Sequence, residues 1–293
     1  MTHRRDAGLP GAAAGRSAQP RAAVNTWDSA LSSEEFAAVE SAGFEPVGQV
    51  LGAAVFNIGY TGIWGCPGEW SVAEGPDAKV PSSKWASSFA PLVRTMYAAR
   101  RLALARAVAK CRALGGDGIV GVELRVGEFP AGGLQVTAWG TAVRARSRVR
   151  PRAPFASHLS GQDFAKLIHA GWVPTGLALG IALTTRHDDW RASRLTSRAA
   201  GNQEVGGYTQ LLHHARHDAR RQLALDAAKH GGDGVVVDEL ELTVSESECP
   251  AYGDTRDLVA EAVIVGTSIT RFRLSERAAG PGTLTIMRLE RER

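Results

Sequence analysis

The chain has 293 residues and a formal net charge of +4, with 44% hydrophobic and 22% charged residues. This length and balance allow two domains with their own cores and exclude wholesale disorder, and so small a charge demands no acidic partner. No apolar run approaches the roughly 20 residues that cross a bilayer, so we expect a cytoplasmic protein that does not enter membranes. Three widely spaced cysteines, Cys66, Cys111 and Cys249, form no CxxC pair, which favours a reducing compartment.

The predicted elements of the first half begin after an N-terminal arm, 1–26, which is rich in Ala, Gly and Arg and is expected to be disordered. Ser32 or Ser33 can cap a short helix that ends at Gly43, because glycine tolerates the left-handed conformation after a helix. A strand, a long helix and two more strands follow, predicted over 47–58, 89–114, 119–126 and 134–143.

The second half repeats this order from Ser160, whose short helix ends at Gly171. The predicted strand, long helix and two strands that follow lie at 175–185, 208–230, 235–244 and 258–270. Both long helices carry an apolar stripe with several alanines, which predicts close packing against a sheet, and Arg and Lys on the other face.

Individual residues recur as well as elements. Phe36 and Pro46 return 128 residues later as Phe164 and Pro174, whereas the Gly-Gly-Asp-Gly segment after each long helix returns after 116. We therefore predict two tandem copies, at 27–148 and 157–274, with an Arg/Pro linker, 149–156, and a C-terminal tail, 275–293. Five arginines alternate with other residues over 144–152. They fit a solvated linker or a basic tether, and the lack of interleaved aromatic residues argues against nucleic acid.

The two Gly-Gly-Asp-Gly segments are predicted to be structural turns. Each follows a helix, whose C-terminus carries partial negative charge, whereas phosphate loops precede a helix N-terminus. The turn residues are Gly115, Gly116, Asp117, Gly118, Gly231, Gly232, Asp233 and Gly234.

The segments 51–56, 113–122 and 136–143, with their looser counterparts in the second half, resemble the YbjQ family, which carries a heavy-metal-binding label. The resemblance implies an α+β fold of two tandem β-α-β-β, dodecin-like units, each a small sheet packed on one long helix. It also implies a homo-oligomer, for which a pentameric ring of two-unit chains is one arrangement.

His213 and His217 are the best candidates for metal ligands, because residues four apart on a helix share one face. His187, in the loop predicted before that helix, could add a ligand for a divalent transition metal such as zinc, copper or nickel. The alternative is a solvated or interface histidine pair. The first copy has Tyr97 and Arg101 at these places, so a metal site would belong to the second copy alone.

Trp64, Trp70 and Trp85 lie in a predicted loop, where they could form a partner surface or pack over the sheet. No nucleophile elbow, phosphate loop or dinucleotide fingerprint occurs in the chain. The sequence therefore favours a non-enzymatic oligomeric scaffold or partner-binding protein. The alternatives are a metal-binding protein and an enzyme whose site forms between subunits.

Overall fold

The computed structural model describes residues 29–58, 89–130, 133–148, 150–187, 194–248 and 256–272, which form an α+β fold. The first unit contains α1 (Ser33–Ser41), β1 (Phe44–Phe56), α2 (Ala90–Ala113), β2 (Gly118–Glu128) and β3 (Leu134–Ala145). After the short β4 (Phe155–Ala156), the second unit contains α3 (Gly161–His169), β5 (Trp172–His187), α4 (Gly206–Lys229), β6 (Gly234–Glu248) and β7 (Arg256–Arg271). A 3₁₀ turn, Arg198–Ala200, lies between β5 and α4.

The short helices begin and end where the sequence signals place them. The Ser32 hydroxyl accepts a hydrogen bond from the Glu35 N–H at 3.2 Å, and the Glu35 carboxylate accepts one from the Ser32 N–H at 2.9 Å. Ser160 accepts from the Asp163 N–H at 3.1 Å at the start of α3. These bonds satisfy N–H groups that have no partner within the helix, which fixes both starting points.

Two sheets organise the molecule. The first has the strand order β1-β3-β2-β4 and the second β5-β7-β6, so β1 and β5 each occupy one end of a sheet. Neighbouring strands are antiparallel except β2 and β4, which are parallel. No helix among the described residues is long and apolar enough to span a bilayer.

Each long helix packs on one face of the sheet of its own unit, as the alanine stripes predict. A Cβ atom added to Gly52 in β1 would collide with the Ala103 carbonyl oxygen in α2, and one added to Gly180 would meet the Ala219 carbonyl oxygen in α4. Only glycine lets backbones approach so closely. We call the sheet face that carries this helix the inner face and the opposite one the outer face.

The Gly-Gly-Asp-Gly segments connect each long helix to the next strand. Gly115 and Gly231 adopt φ angles of 74° and 70°, the left-handed conformation that ends a helix. The Asp117 carboxylate then accepts a hydrogen bond from the Ala145 N–H at 2.9 Å, and the Asp233 carboxylate accepts one from the Arg271 N–H at 3.3 Å. Each aspartate thus ties the turn to the last strand of its unit.

The predicted linker, 149–156, is described from residue 150 onward and takes part in the fold there. Its last two residues form β4, which pairs with β2 and is buried. The Phe155 ring stacks on Phe164 in α3 at 5.7 Å between centroids, and Phe44 meets both rings edge-on. Arginines of the alternating run are engaged in ion pairs: Arg144 with Glu45, Arg146 with Glu40 and Arg150 with Asp117.

Candidate assembly surface

Helix α2 packs on both units. Ala99, Ala103 and Ala107 lie in the core on the inner face of the first sheet. The N-terminal half of the helix packs on the outer face of the second sheet, where Phe89, Val93 and Met96 contact Ile181, Leu183 and Val263. The second sheet is therefore covered by its own helix α4 on one face and by a helix of the preceding unit on the other.

Side chains of α2 and α4 together cover the edge of β5. The Tyr97 hydroxyl accepts a hydrogen bond from the Ile181 N–H at 2.9 Å and donates one to the Leu179 carbonyl at 3.4 Å. The Leu179 N–H donates to the Asp226 carboxylate at 3.1 Å, and Arg101 pairs with Asp226 at 2.7 Å. Edge strands that lack such cover invite pairing with other chains.

Arg100 departs from the expectation that arginines occupy the exposed face of the long helix. Its side chain is only 4% exposed and donates to the Met96 carbonyl at 3.3 Å. Burial lowers the pKa of Arg100, and the charges of Glu261 and Glu241 oppose that shift. Burial also raises the pKa of Glu261. Arg100 is buried because its side of α2 is covered by the second unit, which the pattern of a single helix does not reveal.

The part of the outer face of the first sheet that β1 contributes is exposed among the described residues. Along β1 the buried residues Val50 and Ala54 alternate with Leu51, 61% exposed, and Val55, 49% exposed. Scattered apolar residues on a surface are common, but here two of them share one face of a strand at the end of a sheet. No described element packs over them.

The equivalent face of the second sheet has the opposite exposure. Leu179 and Leu183 stand 128 residues after Leu51 and Val55, and they are 1% and 3% exposed. Both pairs occupy the same register against the central strand of their sheet. The exposures differ because α2 covers the outer face of the second sheet, whereas no described helix covers Leu51 and Val55 on the first.

The corresponding side of α4 is also exposed among the described residues. His213, Arg216 and His217 stand 116 residues after Tyr97, Arg100 and Arg101, and all three are exposed. The described part of the chain thus has an exposed strand face on β1 in its first unit and an exposed helix face on α4 in its second. The equivalent faces, the N-terminal half of α2 and the outer face of the second sheet, pack against each other inside the chain. We call this pair of faces the candidate assembly surface.

Comparison with known proteins identifies a family and a relative of this chain. Residues 87–146, which comprise α2, β2 and β3, match the YbjQ family, described as "Putative heavy-metal-binding". The encapsulin nanocompartment protein Rv1762c of Mycobacterium tuberculosis (strain ATCC 25618 / H37Rv) is 32% identical over 222 residues, which are 73% of this chain and 77% of that protein. The chain belongs to the YbjQ family. No solved structure matches this YbjQ-family chain.

The candidate metal ligands of this YbjQ-family chain are only partly brought together. His213 and His217 lie one turn apart on the exposed side of α4, as the spacing predicts. His187 is the last residue of β5, and its side chain lies outside the described residues. Within the described part of the chain, no group of three or more His, Cys, Asp or Glu side chains could hold a metal ion. Trp64, Trp70 and Trp85 lie outside the described residues.

A cleft of about 980 Å³ lies where the two units meet, and no motif in the sequence predicts it. His158 lines the cleft, with Nδ1 2.8 Å from the Thr267 hydroxyl. Burial lowers the pKa of His158, although Asp238 and Asp163 oppose the shift. Many of the polar groups in the lining serve the fold: Asp163 bonds to Lys166 and to the capping Ser160. A lone histidine beside a helix cap gives no sequence signal for such a cleft.

Proposed function

We propose that this protein is a non-enzymatic scaffold that assembles with copies of itself, as a component of a protein nanocompartment. One observation carries the proposal: the outer face of the first sheet exposes Leu51 and Val55, whereas the equivalent face of the second sheet is buried under a helix. The name of the mycobacterial relative, an encapsulin nanocompartment protein, supports an assembled role.

The energetics favour a closed assembly over an isolated pair. Burying Leu51 and Val55 contributes at most about 1.5–3 kcal/mol for each side chain. Association costs on the order of 4–15 kcal/mol in lost freedom, so one such contact is weak. A contact between two different faces propagates from chain to chain and can close into a ring, where each chain makes two contacts. The pentameric ring implied by the family resemblance is one such closed arrangement.

The molar mass in solution tests this proposal. Light scattering coupled to size exclusion, on the full chain over a range of concentrations, should give a multiple of the 31.0 kDa chain mass. Leu51→Glu should lower that mass, because it places a charge on the open face. Val244→Glu is the matched control, since Val244 is also exposed but lies on β6 of the other sheet. A monomer at every concentration would contradict the proposal.

Metal binding is the second candidate function. His213 and His217 on one exposed helix face support it, with His187 as a further ligand. The test is the metal content of untagged, chelator-washed protein after incubation with zinc, copper or nickel. Stoichiometric metal that is lost in the His213→Ala, His217→Ala double variant would support this function. No retained metal would rule it out.

A further inference from the structure

We propose that copies of this chain join head to tail, with the N-terminal half of α4 of one copy docking on the outer face of the first sheet of the next copy. This docking mode rests on the proposed self-assembly and specifies its interface. The occupant of the open sheet face is therefore a second copy of the chain, and the part that docks is the helix face containing His213.

The template for this interface lies inside the chain. Met96 and Tyr97 of α2 contact Ile181 of β5. The residues at the same places in the other pair of elements are Leu212 and His213 of α4 and Ala53 of β1. Strands β1 and β5 each lie at the end of their sheet. Helices α2 and α4 cross the inner faces in the same way, because Gly52 contacts Ala103 and Gly180 contacts Ala219. A docked second copy would therefore repeat a geometry that the fold already contains.

Most side chains of the proposed interface are smaller or more polar than those of the internal one. On the helix, Phe89, Val93 and Met96 are replaced by Val205, Thr209 and Leu212. On the sheet, Ile181, Leu183 and Val263 are replaced by Ala53, Val55 and Thr137. Less apolar area would be buried, so the contact between chains should be weaker than the contact within one chain. Such a contact can form and dissociate, whereas the covalent chain holds the internal one together.

The polar part of the internal contact is reproduced only at the strand edge. Inside the chain, the Tyr97 hydroxyl accepts a hydrogen bond from the Ile181 N–H. The residues at these two places in the proposed interface are His213 and Ala53. The imidazole nitrogen of His213 that carries no proton can accept a hydrogen bond from the Ala53 N–H in the same way. The Arg101–Asp226 ion pair has no counterpart, because His217 and Lys110 stand at those places. Specificity would therefore come from the shape of the two faces and from the strand edge.

Chemical cross-linking tests the docking mode on the full chain. Two variants are prepared, Ala53→Cys and His213→Cys, each with Cys66→Ser and Cys249→Ser. Cys111 can remain, since it is fully buried. The variants are mixed and treated with a short bismaleimide, and we expect a covalent dimer of two chains. The control mixture pairs Ala53→Cys with Val244→Cys, which lies on β6, and should give no dimer.

The outcomes separate the docking mode from the proposed assembly. A multimeric mass without a cross-link between positions 53 and 213 would overturn the docking mode and leave the assembly standing. A monomeric mass would overturn both. A thiol at position 53 that resists maleimide even in dilute, monomeric protein would show that another segment of the same chain, such as 59–88, covers the face, and would also overturn the docking mode.

Discussion

The Tyr97 hydroxyl oxygen lies 2.9 Å from the backbone nitrogen of Ile181, whose N–H it accepts, and so joins the first long helix to the edge strand of the second sheet. Burial raises the pKa of Tyr97 above its ordinary value, although the Ile181 hydrogen bond opposes the shift. The phenol therefore stays protonated and serves as both acceptor and donor at this edge.

Replacing Tyr97 by Phe should destabilise the protein by about 1–3 kcal/mol, since the Ile181 N–H loses its partner in a half-buried place. Urea unfolding of the variant measures the change in the free energy of unfolding. Thr95→Val is the control, because among the described residues the Thr95 hydroxyl bonds only to the Pro91 carbonyl of its own helix, at 3.0 Å. Equal destabilisation by both variants would argue against a link between the units.

Gly180→Ala should cost about 1–3 kcal/mol, because its Cβ would overlap the Ala219 carbonyl oxygen and push α4 away from the sheet. The control is Gly127→Ala in β2, where an added Cβ meets no atom within 4 Å. Denaturant midpoints of the two variants give the comparison. If Gly180→Ala were as stable as Gly127→Ala, the close approach of helix and sheet would be wrong.

The two turn aspartates should differ in their contribution to stability. Asp117 is 7% exposed and bonds the Ala145 N–H at 2.9 Å. Asp233 is exposed, so water can replace its bonds to the Thr270 hydroxyl at 2.7 Å and to the Arg271 N–H at 3.3 Å. Asp117→Ala should therefore cost about 1–3 kcal/mol, and Asp233→Ala less than about 1 kcal/mol. Thermal unfolding of both variants measures this, and the reverse order would contradict the assigned burial.

Cys111 should not react in the folded protein. Its thiol is buried beside the Gly118 carbonyl, and burial, reinforced by the Asp117 charge, raises its pKa to about 12. Because the thiolate is the nucleophile, iodoacetamide at pH 8 should leave Cys111 unmodified until guanidinium unfolds the chain. Mass spectrometry of the Cys66→Ser, Cys249→Ser variant detects the modification. Rapid labelling of the native protein would contradict the burial.

The same shift predicts a loss of stability at high pH. The unfolded thiol begins to ionise near its ordinary pKa of 9.0, while the folded thiol keeps its proton up to about 12. The contribution of Cys111 is thus fully present below pH 9 and declines as the pH rises through that window. The free energy of unfolding of Cys111→Ala should fall less between pH 8 and 10.5 than that of the wild type. If the free energy of unfolding fell equally in the wild type and in Cys111→Ala, the ionisation of this thiol would not cause the loss of stability.

Local signals in the sequence determined the elements and their inner contacts. Ser32 and Gly43 set the ends of α1, and the alanine stripe predicted that α2 packs closely on a sheet. The His213 and His217 pair was likewise predictable, because helical spacing alone puts both on one face. Capping, helical periodicity and strand alternation act over a few residues, so the chain encodes them locally.

The tertiary structure alone decided what covers each outer face. Leu51 and Leu179 have the same side chain at the same register, yet the first is 61% exposed and the second 1%. Strand alternation predicts which side of β1 or β5 a residue occupies, but a helix distant in sequence decides whether water reaches it. The exposed position that helical periodicity predicts for Arg100 is wrong for the same reason, since the surface that buries Arg100 belongs to the second unit. Contacts between distant segments depend on how the units pack, and no short pattern in either unit encodes that packing.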